Sequence, residues 1–554
     1  MTTSDTTGPD TTGPDTAQTP VLIAGGGLIG LSMAMFLARH GIRSIAVERM
    51  PSGSQLARAG HFHLRTIELF RAAGIEEEVR RQSSEDFVPE GALIAMDCLA
   101  GRKLADIIPS LNVGVDDELT PCRRYFIDQP SLERILRRRA LEVGATVRSG
   151  CELIGFAEDA DGVTATVRDT QSHAESDIRC RYLIGADGAH SKVRELLGIP
   201  LDGRGVFSNS ITIYFHADLW PQLGDKPVSI IYINNPVLGG FFRLKRDCQS
   251  GFLGVNTVGD PKADPIKAAN VAADISEDRL IALVRAGAGL PDLPVQIDGV
   301  ARWRAVSDVA RKFQHGRTFL VGDAAHLMPP NGGFGGNTGI HDAHNLAWKL
   351  AFVLKGVAGP GLLDSYEPER KPVAKFTVEQ AYSRYVTRTA TYLGAADYEP
   401  LAPDFNIELG YLYRSPAIAA EDGDGRVHDD PRQTRARPGA RAPHVFVERN
   451  GERHSLLDLF GRNFVLLAGR GGEAWCAAAR AVAGRFNGLA LDAYCVGGAA
   501  LGNPDHRFGD AYGLPPDGAC LVRPDGFVAW RAPRAAPDAP AALSGALAAL
   551  LGAA

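Results

Sequence analysis

The stretch "PVLIAGGGLIGLSMAMFLARHGIRSIAVERM" spans residues 20–50, and the order of its parts decides how the chain is built. Val21–Ala24 is a short apolar run suited to a buried parallel strand. Gly25, Gly27 and Gly30 then form GxGxxG around Leu28 and Ile29. Leu31–His40 carries a helical pattern that stops at Gly41, and Ile42–Val47 reads as a second strand ending at Glu48. Gly25 permits a tight turn, Gly27 lets a pyrophosphate approach the backbone, and Gly30 lets helix and strand pack closely. The helix N-terminus offers free N–H groups and a partial positive charge to phosphates. Glu48 lies 18 positions past Gly30, near the spacing of about 20 at which an acid meets ribose hydroxyls. Its charge would repel a 2′-phosphate, so NADP suits this site poorly. The motif alone does not choose between NAD and FAD.

The 554 residues exceed one ordinary domain, and an apolar fraction of 45% is ample for large cores. Net charge is −6 and no basic stripe stands out, which argues against nucleic acid as a partner. No segment reads as a membrane span. The eight cysteines form no CxxC pair and no zinc-ligand spacing, as expected of scattered thiols in a reducing cytoplasm. His341 and His344, like His61 and His63, lack the acids and spacing of a metal motif, so no metal is expected. The opening residues 1–19 repeat TTGPD in tandem and read as a disordered tail.

Two further motifs follow. "YLIGADGAHSKVRELLGI" (182–199) ends an apolar run at Asp187-Gly188, either a turn before a helix or a loop beside the dinucleotide. "TFLVGDAAH" ends a strand at Gly322-Asp323, whose aspartate would point into the crevice at the carboxyl edge of a parallel sheet. There it can meet a ribityl hydroxyl, which FAD has and NAD lacks. A second GxGxxA, Gly469 to Ala474, is followed by no acid and reads as a tight turn.

These three motifs, in this order, resemble the class A FAD-dependent aromatic monooxygenases, the para-hydroxybenzoate hydroxylase family, over roughly residues 20–415. The resemblance implies an α/β, Rossmann-like FAD-binding domain, with Arg49 beside Glu48. Arg58 in "RAGHFHLRTIELFR" stands where the family has an arginine near the pyrophosphate and the moving flavin. Gln129 in "DQPSLERIL" stands where the family sets a glutamine against the cofactor, and "SYEPERKP" (365–372) resembles the family's capping stretch after the flavin helix. Gly60-His61 departs from the family's commoner Arg-Gly. "PPNGGFGGNTG" (329–339) stands where the family's loop passes along the flavin ring. There Pro330 stiffens the approach, and Gly332, Gly333, Gly335 and Gly336 admit the backbone to contact distance. A helix starting near Asn337–Thr338 would aim its N–H groups at the N1–C2=O edge.

The implied cycle has NADPH or NADH reduce FAD as a transient donor, dioxygen add at C4a as a hydroperoxide, and its distal oxygen pass to an electron-rich aromatic carbon. The segment 205–300 alternates in the manner of an antiparallel sheet. Tyr214, Phe215, Tyr232, Phe242 and Arg243 are candidates to line the ring pocket. Neighbours on a strand face opposite ways, so at most one of Tyr214 and Phe215, and one of Phe242 and Arg243, reaches it.

The expected domains are the FAD-binding domain (20–85, 122–204, 301–395) and a middle substrate domain (86–121, 205–300), then a Pro- and Gly-rich linker (396–440) and a C-terminal domain (441–554). The last resembles the thioredoxin-like tail of larger family members, with Gly471, Gly472 and Cys476 where CxxC would stand. Together with "HFHLRT" and "IELGYLYRSPAI", it most resembles the bacterial aromatic polyketide hydroxylases. That implies a cytoplasmic enzyme, monomer or homodimer, hydroxylating a polycyclic phenol. A Baeyer–Villiger or multi-step oxygenase acting on a similar polyketide, and a non-catalytic flavin-binding scaffold, are the alternatives. A flavin halogenase would carry WxWxIP, and no two tryptophans have that spacing.

Overall fold

The computed structural model describes residues 17–53, 60–224, 226–260, 262–263, 265–390, 393, 398–421, 423 and 425–552. The expected tail lies outside them, except that the first strand already begins at Ala17.

Five parallel strands form the centre of the first sheet: Thr318–Leu320, Glu175–Gly185, Ala17–Ala24, Ser44–Glu48 and Thr146–Ser149, in that order. Their apolar runs are buried on both faces, as a parallel sheet requires. The register sets Ala24 beside both Val47 and Gly185, and Gly185 beside Leu320. The GxGxxG turn, Asp187-Gly188 and Gly322-Asp323 each follow one of these strands, so the three meet at one carboxyl edge. The first helix, Leu28–Arg39, and the long helix Phe334–Leu354 pack together, and nearly every residue of both is buried.

The second sheet has eight strands: His326–Leu327, Gln296–Ala310, Leu201–His216, Ser250–Asn256, Gly239–Leu244, Val228–Asn234, Ala92–Met96 and Lys103–Ile108. It is antiparallel as expected, apart from one parallel pairing of Val228–Asn234 with Ala92–Met96. One face is closed by helix Glu277–Ala288 over Ile211, Ile213, Phe215, Phe242 and Leu253.

The C-terminal sheet runs Leu491–Cys495, Phe464–Ala468, Ala519–Val522, Val528–Ala532, a parallel pair followed by a hairpin, with helices Glu473–Ala483 and Ala539–Leu550 packed together beside it. This is a thioredoxin-like arrangement. Its core is continuous with that of the FAD-binding domain: the Phe464 ring packs against Trp348 and Phe352 of the long helix.

The stretch expected to be a linker is packed instead. Tyr411, Tyr413 and Ile418 are buried against Phe527, and Tyr411 bridges to His428. Its Pro and Gly content marks tight irregular backbone, which composition does not distinguish from an exposed tether.

Candidate active site

At the first turn, Gly25 sits at φ +105°, and a Cβ there would lie 2.3 Å from the Ala186 carbonyl oxygen. Only glycine fits. Glu48 holds this turn: its carboxylate accepts from the Gly26 N–H at 2.8 Å and the Met50 N–H at 2.9 Å. Arg49 is exposed beside it. Gly27 caps the first helix without a side chain, and a Cβ there would meet only Glu133 Oε1 at 3.6 Å. Glu133 accepts from the Leu28 N–H at 3.1 Å and from Gln129 Nε2 at 2.7 Å. The sequence reading missed Glu133, although it stands one helical turn past Gln129 on the same face.

Asp187 is committed to its own turn. It accepts from Ser191 Oγ at 2.5 Å and the Val193 N–H at 2.9 Å, opening the short helix Lys192–Leu196. Gly322 has φ +62° with Ile29 packed against it, while Asp323 is exposed and its carboxylate reaches toward Gly335.

The long helix begins at Phe334 with Gly333 as its cap, three residues earlier than the sequence pattern suggested. Gly335 and Gly336 therefore lie in its first turn, where bare positions keep the helix end accessible. A Cβ at Gly335 would find nothing nearer than 3.7 Å. Gly332 and Gly333 both have positive φ, and Pro330 is exposed ahead of them. Asn337 ties this turn to the preceding segment. It donates to His61 O at 2.9 Å and Gly333 O at 2.7 Å, and accepts from the His63 N–H at 2.9 Å and Thr66 Oγ1 at 2.7 Å.

Behind the site is a set of charges that sequence spacing did not reveal. Asp342, fully buried on the long helix, accepts from the Gly322 N–H at 3.0 Å and Arg370 Nε at 2.7 Å, and pairs with His326 Nε2 at 2.7 Å. Arg370 and His326 hold its carboxyl below the usual range against the opposing effect of burial. The aspartate locks the Gly322-Asp323 loop to the helix whose glycine-rich end lies beside it. Arg370 belongs to the "SYEPERKP" stretch, so that motif acts from the second layer.

On the middle sheet the alternation is settled by helix 277–288. Phe215 and Phe242 face it and pack edge-to-face at 5.9 Å within the core, so they are corrected from pocket candidates to core residues. Tyr214, Tyr232 and Arg243 lie on the opposite face, with Phe241 and Phe252 added by the structure. Tyr214, Tyr232 and Phe241 keep partial exposure. Burial raises the Tyr232 hydroxyl's pKa, opposed by the Arg388 guanidinium hydrogen-bonded to it. Arg243 is 5% exposed, lies 4.1 Å over the Phe87 ring and donates to Gly60 O at 3.3 Å. A Cβ on Gly60 would overlap that guanidinium. The bare Gly60 leaves the room that this guanidinium occupies. Arg58 lies outside the described residues.

His61, His63, His341 and His344 are all held below the usual histidine range, chiefly by burial. His341 stacks on Tyr411 and His344 sits edge-on to Phe36, so both are packed core residues. No helix among the described residues is long and apolar enough to cross a membrane.

The side-chain-free ends of two helices, both meeting the carboxyl edge of a parallel sheet, with an acid after the second strand and another facing the second helix, suit a dinucleotide carrying a flat ring. Comparison with known proteins names the class. Residues 18–381 match the FAD binding domain family, and residues 435–554 match the aromatic-ring hydroxylase C-terminal domain. The chain belongs to the FAD-dependent aromatic-ring hydroxylases, and it is an FAD-dependent aromatic monooxygenase. It is 49% identical over 539 residues to 4-methyl-5-nitrocatechol 5-monooxygenase of Burkholderia sp, covering 96% of this chain and 98% of that protein. It is 38% identical to tetracenomycin A2 monooxygenase-dioxygenase of Streptomyces glaucescens, covering 96% of each. The crystal structure of aklavinone-11 hydroxylase with FAD and aklavinone superposes with a TM-score of 0.90 at 37% identity, covering 97% of this chain and all of that one.

Proposed function

We propose that the protein uses NADPH or NADH and dioxygen to hydroxylate a phenolic ring held between the glycine-rich end of helix 334–354 and the aromatic face of the middle sheet. The observation that carries this reading is the accessible first turn at Gly335 and Gly336, steadied by Asn337 and by Asp342 through the neighbouring loop. Bound FAD supplies hydride acceptance and oxygen activation. The protein's own part is positional. Gly27 and the first helix would hold the pyrophosphate, and Glu48 and Asp323 would meet the hydroxyls of the ribose and the ribityl chain. The dipole of the long helix stabilises negative charge on the ring by up to about 2 kcal/mol. Tyr214, Tyr232, Phe241 and Phe252 form an apolar floor that excludes water from the reacting carbon.

The level of identity favours a single-ring, catechol-like phenol, as in the name of the Burkholderia relative. The polycyclic phenol expected from the sequence is supported by the polyketide relatives and the aklavinone complex. Purified protein should be yellow. NADPH and NADH consumption, measured with nitrocatechols and with tetracyclic phenols and followed by product mass analysis, separates the two substrate classes. Consumption that responds to no phenol of either size would overturn the assignment and favour a scaffold role. A product with an inserted ring oxygen would favour Baeyer–Villiger chemistry.

A further inference from the structure

The thioredoxin-like domain lacks CxxC in sequence, yet its fold brings two cysteines together. Cys476, in the first turn of helix Glu473–Ala483, has its Sγ 2.9 Å from Sγ of Cys495, the last residue of strand Leu491–Cys495. Both are free thiols; Cys476 is buried and Cys495 is partly exposed. The residues directly after Cys495 (Val496, Gly497 and Gly498) line an open cleft of about 640 Å³, together with Arg470 and Pro516. The exposed end of the pair is therefore beside solvent, while its other end is in the core. Formation of a disulfide needs sulfurs that can close to about 2.05 Å, and here the approach is nearly complete.

We infer that Cys476 and Cys495 form a reversible intradomain disulfide when the protein meets a hydroperoxide, which joins helix 473–483 to the edge strand of the C-terminal sheet. The partly exposed Cys495 thiolate attacks the peroxide. An S–O bond forms, the O–O bond breaks, and the departing hydroxide takes a proton to leave as water. The Cys476 sulfur then displaces hydroxide from the sulfenic acid. The S–S bond forms, the S–O bond breaks, and the thiol proton leaves in a second water. Two thiols lose two electrons, and one peroxide becomes two waters. The order follows from access and charge: burial and the hydrogen bond its S–H donates to Cys495 push the Cys476 thiol up to about 12, so it is the resolving partner. Hydrogen peroxide is the by-product of an oxygenase turning over without productive transfer, which makes this domain a sensor of such leakage.

The test supplies the oxidant directly, so it does not depend on the reaction assigned above. The full-length holoenzyme is treated with hydrogen peroxide, digested without reductant and examined by mass spectrometry. Expected is a Cys476–Cys495 linked peptide lighter by two hydrogens, two fewer titratable thiols, a higher Tm, and reversal of all three by dithiothreitol. Buried Cys520, two strands away in the same sheet, remains a thiol and serves as control. In Cys476→Ser, and in Cys476→Ala as a second variant, Cys495 should advance to sulfenic and sulfinic acid without a link. In Cys495→Ser, Cys476 should stay reduced. Unchanged thiols in the wild-type protein, or Cys495 running to sulfinic acid while Cys476 stays reduced, would overturn the inference.

Discussion

Gly60 and Arg243 show how one missing side chain shapes a site. The Arg243 guanidinium occupies the space a Cβ on residue 60 would fill, stacked over Phe87 and 3.7 Å from Asp128. The obstacle is the end of a flexible side chain, so Gly60→Ala should fold and keep its flavin while tipping the arginine out of its slot. Substrate-stimulated NAD(P)H oxidation should then fall several-fold at unchanged absorbance ratio of flavin to protein. Wild-type kinetics in that variant would show that the guanidinium does not bear on the substrate. Phe215 and Phe242 carry the complementary lesson. Strand alternation established that adjacent residues oppose each other, but not which of them faces the flavin domain. That choice depends on helix 277–288, which is remote in sequence.

At the scale of the element, helix 334–354 is held by buried charge rather than by a side-chain cap. Asp342 joins it to Gly322, His326 and Arg370, and all three charged or titratable side chains are fully buried. Asp342→Asn would leave the Arg370 cation without its counter-charge, at a cost of about 3–5 kcal/mol. Urea unfolding should show that loss, and the variant should purify with less flavin because the Gly322-Asp323 loop is released from the helix. Full flavin content together with wild-type stability would contradict the role given to Asp342. The glycine run announces this helix, but the pattern puts its start three residues late, because Phe334-Gly335-Gly336 has poor intrinsic helix propensity. Tertiary hydrogen bonds through Asn337 override that preference.

At the scale of the whole molecule, the C-terminal domain is joined to the flavin domain by a continuous core and by a buried ionic cluster. Glu369 accepts from Lys349 Nζ at 2.8 Å, Asn345 Nδ2 at 2.7 Å, Ser415 Oγ at 2.6 Å, and both terminal nitrogens of Arg523, at 2.6 and 2.8 Å. Burial lowers the Lys349 ammonium to about 8. The two domains should therefore melt in one calorimetric transition. Glu369→Gln should lower stability by about 3–5 kcal/mol and separate that transition into two. A single unshifted transition in the variant would remove the cluster from the account.

Stability should also fall in mild acid. Burial first, then neighbouring cations, push His40 down to about 3 and His444 to about 4, so both stay neutral in the fold. Between these values and about 6.5, the unfolded chain binds protons that the native state refuses, and stability drops as pH falls. Each such histidine contributes about 1.4 kcal/mol per pH unit across that window. Urea midpoints measured from pH 7 to pH 5 should decline accordingly, and His444→Gln should flatten the slope. An equal slope in that variant would mean that His444 takes up its proton in the native state.

The sequence by itself determined the parallel sheet, the dinucleotide turn, the glycine-rich approach to the long helix and the thioredoxin-like order of the tail. Each of these is a local run in which a strand, a glycine constraint and a helix follow one another, and backbone sterics act over a few residues. Only the tertiary structure decided which face of the middle sheet is open, how Asp342, Glu133 and Glu369 find their partners, and that residues 404–418 are packed rather than tethering. It also decided that Cys476 meets Cys495. Those features depend on burial and on charges paired across long stretches of chain, and a side chain's surroundings there are set by the layers that close over it.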